Sequence, residues 1–305
     1  MNMVKKMAEK LKLKLAPNRS MAECMRTVAF ADVVEMVRLC CLSAAVNLPE
    51  DVLAALEKAY ANESKPLAKE LIGQCLENAR IAKAENMPIC QDTGFAVYFV
   101  EMGTNVRIEG GTISEAITEG TRQGYRDGFL RKSIVTDPLF KRKNTTDNTP
   151  PIIHLTMVPG DKINVILAPK GGGSENMSAL KMLKPSDGRD GVVKFVTDTV
   201  INAGGNPCPP VIVGVGIGGT FEQAALLAKK ALLRKTGTLH EEAEYAELEQ
   251  EILARINASG VGPQGLGGDT TALAVHINYH PCHIASLPVA VNINCHAARH
   301  AGFEM

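Results

Sequence analysis

Helical spacing of apolar positions begins only after the first thirty residues. Residues 1–30 set Lys among Met and Leu without a sustained period, and predict a weakly structured leader or a single helix. Val33, Met36, Val37, Cys40 and Cys41 then share one face, which predicts a helix over 32–46. Asn47-Leu48-Pro49-Glu50-Asp51 breaks it and restarts a second helix, because proline is tolerated in a first helical turn. That helix runs to about Asn62, and Ser64 is expected to cap a third carrying Leu67, Leu71, Cys75 and Ile81 on or near one side. Residues 31–85 therefore read as a helical cap on a larger body, 86–305.

Past residue 86 the pattern changes. Residues 95–102, rich in Val, Phe and Tyr, predict a strand. Gly110-Gly111 breaks the chain, and Thr112 or Ser114 opens a helix to about Leu130. Residues 132–151 are polar and proline-bearing, a loop long enough to suggest a role. Residues 152–158 and 162–168, joined by Pro159-Gly160-Asp161, predict a β-hairpin. A helix near 189–203 precedes the fully apolar strand 211–215. Thr220 and Gln223 predict a capping box for a helix over 220–234. A charged helix over 241–258, a Gly-rich loop over 260–271, and strands near 273–279 and 287–293 complete the chain. The fold class is α/β, with mixed sheets flanked by helices and an N-terminal helical cap.

Composition narrows the function classes. Lys+Arg and Asp+Glu are both 33, so no net field draws the chain to nucleic acid or an acidic membrane. Aromatic residues are 4% and Trp is absent, which argues against base-stacking surfaces. No apolar run approaches the ~20 residues of a bilayer span, and the N-terminus lacks a signal peptide's apolar centre. The eight cysteines are not spaced as in a small disulfide scaffold, so a reducing, cytoplasmic setting is expected.

Those cysteines are not equivalent. Cys24, Cys40, Cys41 and Cys75 fall in helical patterns and read as small core hydrophobes. Cys90 (in Pro88-Ile89-Cys90-Gln91-Asp92-Thr93-Gly94), Cys208 (in Asn206-Pro207-Cys208-Pro209-Pro210) and Cys295 (in Asn294-Cys295-His296) sit at irregular junctions. Three thiolates from three loops can hold an iron–sulfur cluster and leave one iron without a protein ligand, free to act as a Lewis acid. By spacing alone Cys282 could replace Cys295, and the same thiols could hold a structural zinc. Gly214-Val215-Gly216-Ile217-Gly218-Gly219 matches G-x-G-x-x-G, but a helix occupies the stretch where an acidic strand end should follow, so close strand–helix packing is the favoured reading. Gly171-Gly172-Gly173-Ser174 is either an anion nest or a flexible turn. Asp92 is an N-cap or a catalytic carboxylate, Arg131 a surface charge or a ligand for an anion, and His283 a loop histidine or a proton donor.

Together the segments 88–94, 169–178, 206–210, 213–219, 283–288 and 295–299 resemble the class I, iron–sulfur-dependent fumarate hydratases, in particular the separate alpha subunit of the two-subunit form. The resemblance covers about 31–305. It implies a 4Fe-4S cluster on Cys90, Cys208 and Cys295, with Cys282 outside the ligand set. It also implies Gln91, Asp92, Arg131 and Gly173 at the substrate, Asp92 and His283 in catalysis, and reversible hydration of fumarate to L-malate. The base that takes the carbon-bound proton is expected on a beta subunit, so the partner is an alpha/beta heteromer, a dimer of heterodimers being one arrangement. The alpha subunit of an L-tartrate dehydratase is the near alternative; Lys170-Gly171-Gly172-Gly173-Ser174-Glu175-Asn176 is closer to the fumarase version and points to fumarate. Thr146 stands where many relatives have Gly.

Overall fold

The computed structural model describes residues 25–305, so most of the leader, and Cys24 with it, lies outside the described residues. The end of the leader is not loose: β1 (Arg26–Ala29) pairs in parallel with β3 (Val106–Glu109). The predicted cap follows as α1 (Phe30–Val46), α2 (Glu50–Asn62) and α3 (Pro66–Glu85). Ser64 does not cap α3; Lys65 stands at that position and Pro66, its φ already helical, opens the first turn. The Ser64 N–H instead donates to Asp269 Oδ2 at 3.0 Å. One 18-residue window within Phe30–Asn62 reaches a mean hydropathy of 1.5, enough by composition for a membrane span. That stretch is two helices parted at Pro49, and α1 buries Val33, Val37, Cys41 and Ala44 against α4 (Ile113–Asp127). Thr112 and Glu115 cap α4 reciprocally. Gly120 and Gly124 let the two helices close: a Cβ there would stand 2.6 Å from Val37 Cβ and 2.5 Å from Cys41 Cβ.

The first four-stranded sheet overturns the predicted hairpin. Its order is β10 (Ala301–Glu304), β5 (Ile163–Lys170), β2 (Phe95–Gly103), β4 (Ile152–Val158). Strands β4 and β5 do not pair. β2 lies between them, parallel to β4 and antiparallel to β5. Ala96, Val97 and Tyr98 are successive buried residues, so β2 has both faces covered and takes a central place. The 159–162 turn then passes over its end, where a Cβ on Gly103 would meet the Gly160 carbonyl at 2.4 Å.

The second sheet runs β6 (Ala179–Leu183), β9 (Leu287–Asn294), β7 (Val211–Gly218), β8 (Ala272–His280). The short strands β1, β3, β6 and β10 have no counterpart in the sequence reading. Helices α6 (Gly188–Ala203) and α8 (Ala243–Ala258) cover one side. α7 (Phe221–Ala231) packs on β7, and the glycine run is explained there. A Cβ on Gly214 or Gly216 would lie 2.1 Å from Ala228 O or 2.0 Å from Ala224 O. The glycines admit close packing of the chain's own helix on the strand, the reading favoured from the sequence. Thr220 and Gln223 form no capping box; Thr220 Oγ1 donates to Glu222 Oε1 at 2.7 Å.

A third apolar cluster joins cap to body. Leu56, Ile72 and Ala79 pack with Ile212, Ala274, Ala297 and Ala298, and Cys90 and Cys295 lie at its margin. Burying Leu56 and Ile72 completely contributes roughly 1.5–3 kcal/mol each. Glu63, only 4% exposed at the end of α2, accepts the N–H groups of Asp269 and Thr270 at 3.0 and 3.1 Å and so ties the cap to the Gly-rich loop. The segments before β2, β7 and β8 and after β5 and β9 meet at this junction, which is where the thiols lie.

Candidate active site

Cys90 comes five residues before the first pair of β2, Cys208 three before β7, and Cys295 directly after β9. β7 and β9 are antiparallel, with Ile212 opposite Asn294, so the last two thiols share one end of the second sheet. His296 bridges their loops: its Nδ1 lies 3.0 Å from the Cys208 carbonyl. The Cys90 loop reaches the same place through Arg299, whose Nη2 donates to the Asp92 carbonyl at 2.8 Å. Gly173 arrives too, since a Cβ there would stand 3.6 Å from Asn206 O. Cys75 of α3 lies beneath them, and burial, then the Cys295 and Cys208 thiols, push it up to about 11.

The thiols feel one another. Cys208 is exposed, yet partial desolvation raises its thiol above the ordinary value, and the neighbouring Cys295 and Cys90 add to that. Burial raises Cys295 as well, against the pull of Arg299, the Ala297 N–H and Lys170. Both cations are buried, Arg299 at 2% and Lys170 at 5% exposure. Burial draws the Lys170 ammonium down to about 8, while Glu175 opposes the shift. Lys170 Nζ donates to Ser174 Oγ at 2.7 Å and lies 3.4 Å from Glu175 Oε2. Glu175 also takes Lys229 Nζ at 2.6 Å; burial works against its charge, but the two lysines and Asn292 keep it below the usual carboxylate range. One carboxylate thus serves two lysines, and Arg299 keeps Nε and Nη1 buried without a partner among the described residues. Such surplus positive charge suits an anionic occupant.

The predicted site residues divide by location. Asp92 is fixed: Oδ1 accepts the Gly94 N–H at 3.1 Å and Oδ2 the Gly172 N–H at 2.8 Å, which joins the Cys90 loop to α5 (Gly172–Glu175). The 171–174 segment is therefore a helical turn and not a flexible one. Gln91 is exposed and its Oε1 lies 3.4 Å from Cys90 Sγ. Arg131 is exposed, has no ion pair among the described residues, and offers its carbonyl to Thr93 Oγ1 at 3.1 Å. His283 is not brought to this place. It precedes β9 while Cys295 follows it, and eight strand residues span roughly 26 Å. The two residues belong to one motif, but the strand between them puts them at opposite ends of the sheet. Cys282 shares the far end, where its Sγ lies 3.3 Å from Ser286 O, and spacing alone had left it open as a ligand.

Among the described residues no group of three His, Cys, Asp or Glu side chains could hold a single metal ion. That bears against one zinc on the three thiols. Cysteines bound to different irons of a cluster need not meet at a point, and three thiols under buried, underpartnered cations fit such a group. The residues that the sequence reading passed over are Lys170, Arg299, His296 and Gln264. The first three lie within its motifs without a role given to them, because a basic side chain looks the same in sequence whether solvated or buried.

The model of the fumarate hydratase (Fumerase) family matches residues 34–304. A protein of Methanocaldococcus jannaschii, provisionally named L(+)-tartrate dehydratase subunit alpha, is 48% identical over 274 residues, covering 88% of this chain and 94% of its own. The L(+)-tartrate dehydratase subunits alpha of Escherichia coli strains UTI89 and K12 are 34% and 32% identical, each covering 92% of both chains. On this match, which extends from α1 through all three thiol loops to β10, the chain belongs to the fumarate hydratase (Fumerase) family of hydro-lyases.

Proposed function

We propose that this chain is the alpha subunit of an iron–sulfur hydro-lyase acting on a hydroxydicarboxylate, with L-tartrate as the substrate. The single observation that carries the hydro-lyase reading is the meeting of the Cys90, Cys208 and Cys295 loops beside buried Arg299 and Lys170. The choice of tartrate reverses the expectation drawn from the 170–176 motif: the relatives that cover over nine-tenths of their own length carry tartrate dehydratase names. That motif folds into Lys170–Ser174–Glu175 contacts that brace the site, so it says little about the substrate.

Dehydrating tartrate removes a carbon-bound proton and a hydroxide, and the resulting enol tautomerises to oxaloacetate. Cys90, Cys208 and Cys295 would hold a 4Fe-4S cluster, which when bound supplies Lewis acidity toward the departing hydroxyl. The chain's own residues do the remaining work. Arg131, exposed and without an ion pair among the described residues, takes a substrate carboxylate in a forked, charge-assisted contact. Asp92, held by two main-chain N–H groups, presents its remaining lone pairs to a substrate hydroxyl at no cost in reorganisation. Gln91 and Gly173 border the same space. Arg299 and Lys170 offset the negative charge that thiolates and substrate bring together. The proton goes to a base on a beta subunit, whose loops complete the site; His283 takes no part from within this chain.

The test is steady-state turnover by the anaerobically reconstituted alpha/beta complex. A site built to hydrogen-bond the extra hydroxyl of tartrate rejects a substrate lacking it by orders of magnitude. The expected kcat/KM for L-tartrate exceeds that for L-malate by at least about 100-fold. Preference for L-malate would return the assignment to fumarate hydration.

A further inference from the structure

Cys208 carries an uncommon backbone. Its φ is 54°, in the left-handed region that side chains other than Gly, Asn and Asp seldom adopt. Such a conformation persists only where surrounding contacts hold it. Those contacts are gathered on two successive carbonyls. The Cys208 carbonyl faces His296 Nδ1 at 3.0 Å and the His296 main-chain N–H at 3.4 Å. The Pro209 carbonyl accepts the main-chain N–H of Gln264 at 2.9 Å and its Nε2 at 2.8 Å. A carbonyl only accepts, so Nδ1 of His296 carries the proton and Nε2 does not need one. Gln264 Nε2 also stands 3.4 Å from Nδ1, and its N–H goes to Pro209 because Nδ1 is already a donor.

The Gln264 turn is itself locked. Gln264 has φ 54°, and its carbonyl would lie 2.8 Å from a Cβ on Gly205, so the 204–208 segment rests backbone to backbone on it. Gly268 seats this loop against the cap, where a Cβ would meet Ala68 Cβ at 2.7 Å, Pro263 Cδ at 2.8 Å and Glu63 Oε2 at 3.3 Å. A chain of contacts therefore runs from the cap, through 263–270, to Cys208, while His296 joins Cys208 to the loop of Cys295.

We propose that His296 and Gln264 are positioning residues for the Cys208 thiol, forming a clamp that sets one thiol loop against its neighbour. The inference rests on the cluster reading above, and adds that the geometry of one ligand is imposed by the loop of another. His296 touches neither substrate nor iron in this role. It acts through the Cys208 main chain.

Two measurements on the full chain separate this proposal from the reading beneath it. The first needs no cluster: hydrogen exchange at the amides of Asn206 and Cys208, which donate to Ala203 and Gly205. His296→Leu and Gln264→Ala should speed that exchange about two- to ten-fold, the span of one lost hydrogen bond. His296→Asn, whose amide N–H stands near the position of Nδ1–H, should stay within about two-fold of the parent. The second follows iron release to a chelator from the anaerobically reconstituted chain. The same variants should release iron faster in the same order, with His296→Asn close to the parent. Unchanged exchange in His296→Leu overturns the clamp. Faster exchange with unchanged iron release overturns its role toward the ligand. A parent chain that takes up no iron instead overturns the cluster reading and the ligand role, while exchange still decides whether the clamp exists.

Discussion

Glu63 offers the sharpest energetic test of how the cap supports the site. Its carboxylate receives Asp269 N–H on both oxygens at 3.0 Å, Thr270 N–H at 3.1 Å and Lys65 N–H at 3.2 Å. Hydrogen bonds to a charged acceptor contribute about 1.5–3 kcal/mol each. The Lys65 bond is local, two residues along the chain, and does not tie the cap to the loop. The two loop bonds together amount to about 3–6 kcal/mol before relaxation. Asp269 and Thr270 can regain water once the carboxylate is gone, which lowers the expected cost of Glu63→Ala to about 3 kcal/mol. Glu63→Gln keeps the shape and one acceptor but turns an N–H toward a main-chain donor, so about half that cost is expected. Urea unfolding of the full chain reads the loss: with a slope near 3 kcal/mol/M the midpoint should fall by about 1 M for Ala. Hydrogen exchange should rise in 260–271 and, through Gln264, in 204–210. A midpoint within about 0.2 M of the parent, or exchange raised in 260–271 alone, would refute the coupling.

Further outcomes follow from the same contacts. Gly216→Ala would put a methyl 2.0 Å from Ala224 O, so α7 must leave β7; a loss of at least about 3 kcal/mol or insoluble expression is expected, read by thermal unfolding. His276 is 1% exposed and burial pushes its imidazole down to about 4. The unfolded chain, with an ordinary histidine, then binds more protons between about pH 6.5 and 4, so this group's contribution is intact above that window and falls away as pH drops through it. About 3 kcal/mol is at stake over the full shift, and His276→Phe should flatten the urea midpoint between pH 7 and 4.5. Arg131→Ala should raise KM for the dicarboxylate in the alpha/beta complex at least ten-fold with an unchanged melting temperature, because the exposed side chain has no ion pair to lose among the described residues.

Much of the fold was legible because its signals are local. The cap helices follow from the apolar face of 33–41 and the Pro49 restart, and β7 from an unbroken apolar run, all eight residues being buried. The hairpin over 152–168 failed because alternation and a Pro-Gly-Asp turn say nothing about a third strand; β2 enters between the arms from fifty residues away. β10 is four residues long and acquires its identity only by pairing with β5. At the site, Cys90, Cys208 and Cys295 could be singled out because Gly, Pro and polar neighbours exclude a helical core. Their meeting required the fold. So did the place of His283, which the sheet carries to its far end, and the weight of Lys170 and Arg299, whose burial no spacing reveals; the resemblance had already set Cys282 outside the ligands.

If three distant thiols hold one iron–sulfur cluster, iron and acid-labile sulfide per chain, counted after anaerobic reconstitution of the full chain and its single Cys→Ser variants, will report it. About four of each are expected for the parent and for Cys282→Ser, and large losses in Cys90→Ser, Cys208→Ser and Cys295→Ser. Equal iron and sulfide in all five proteins, or none in the parent, would contradict it.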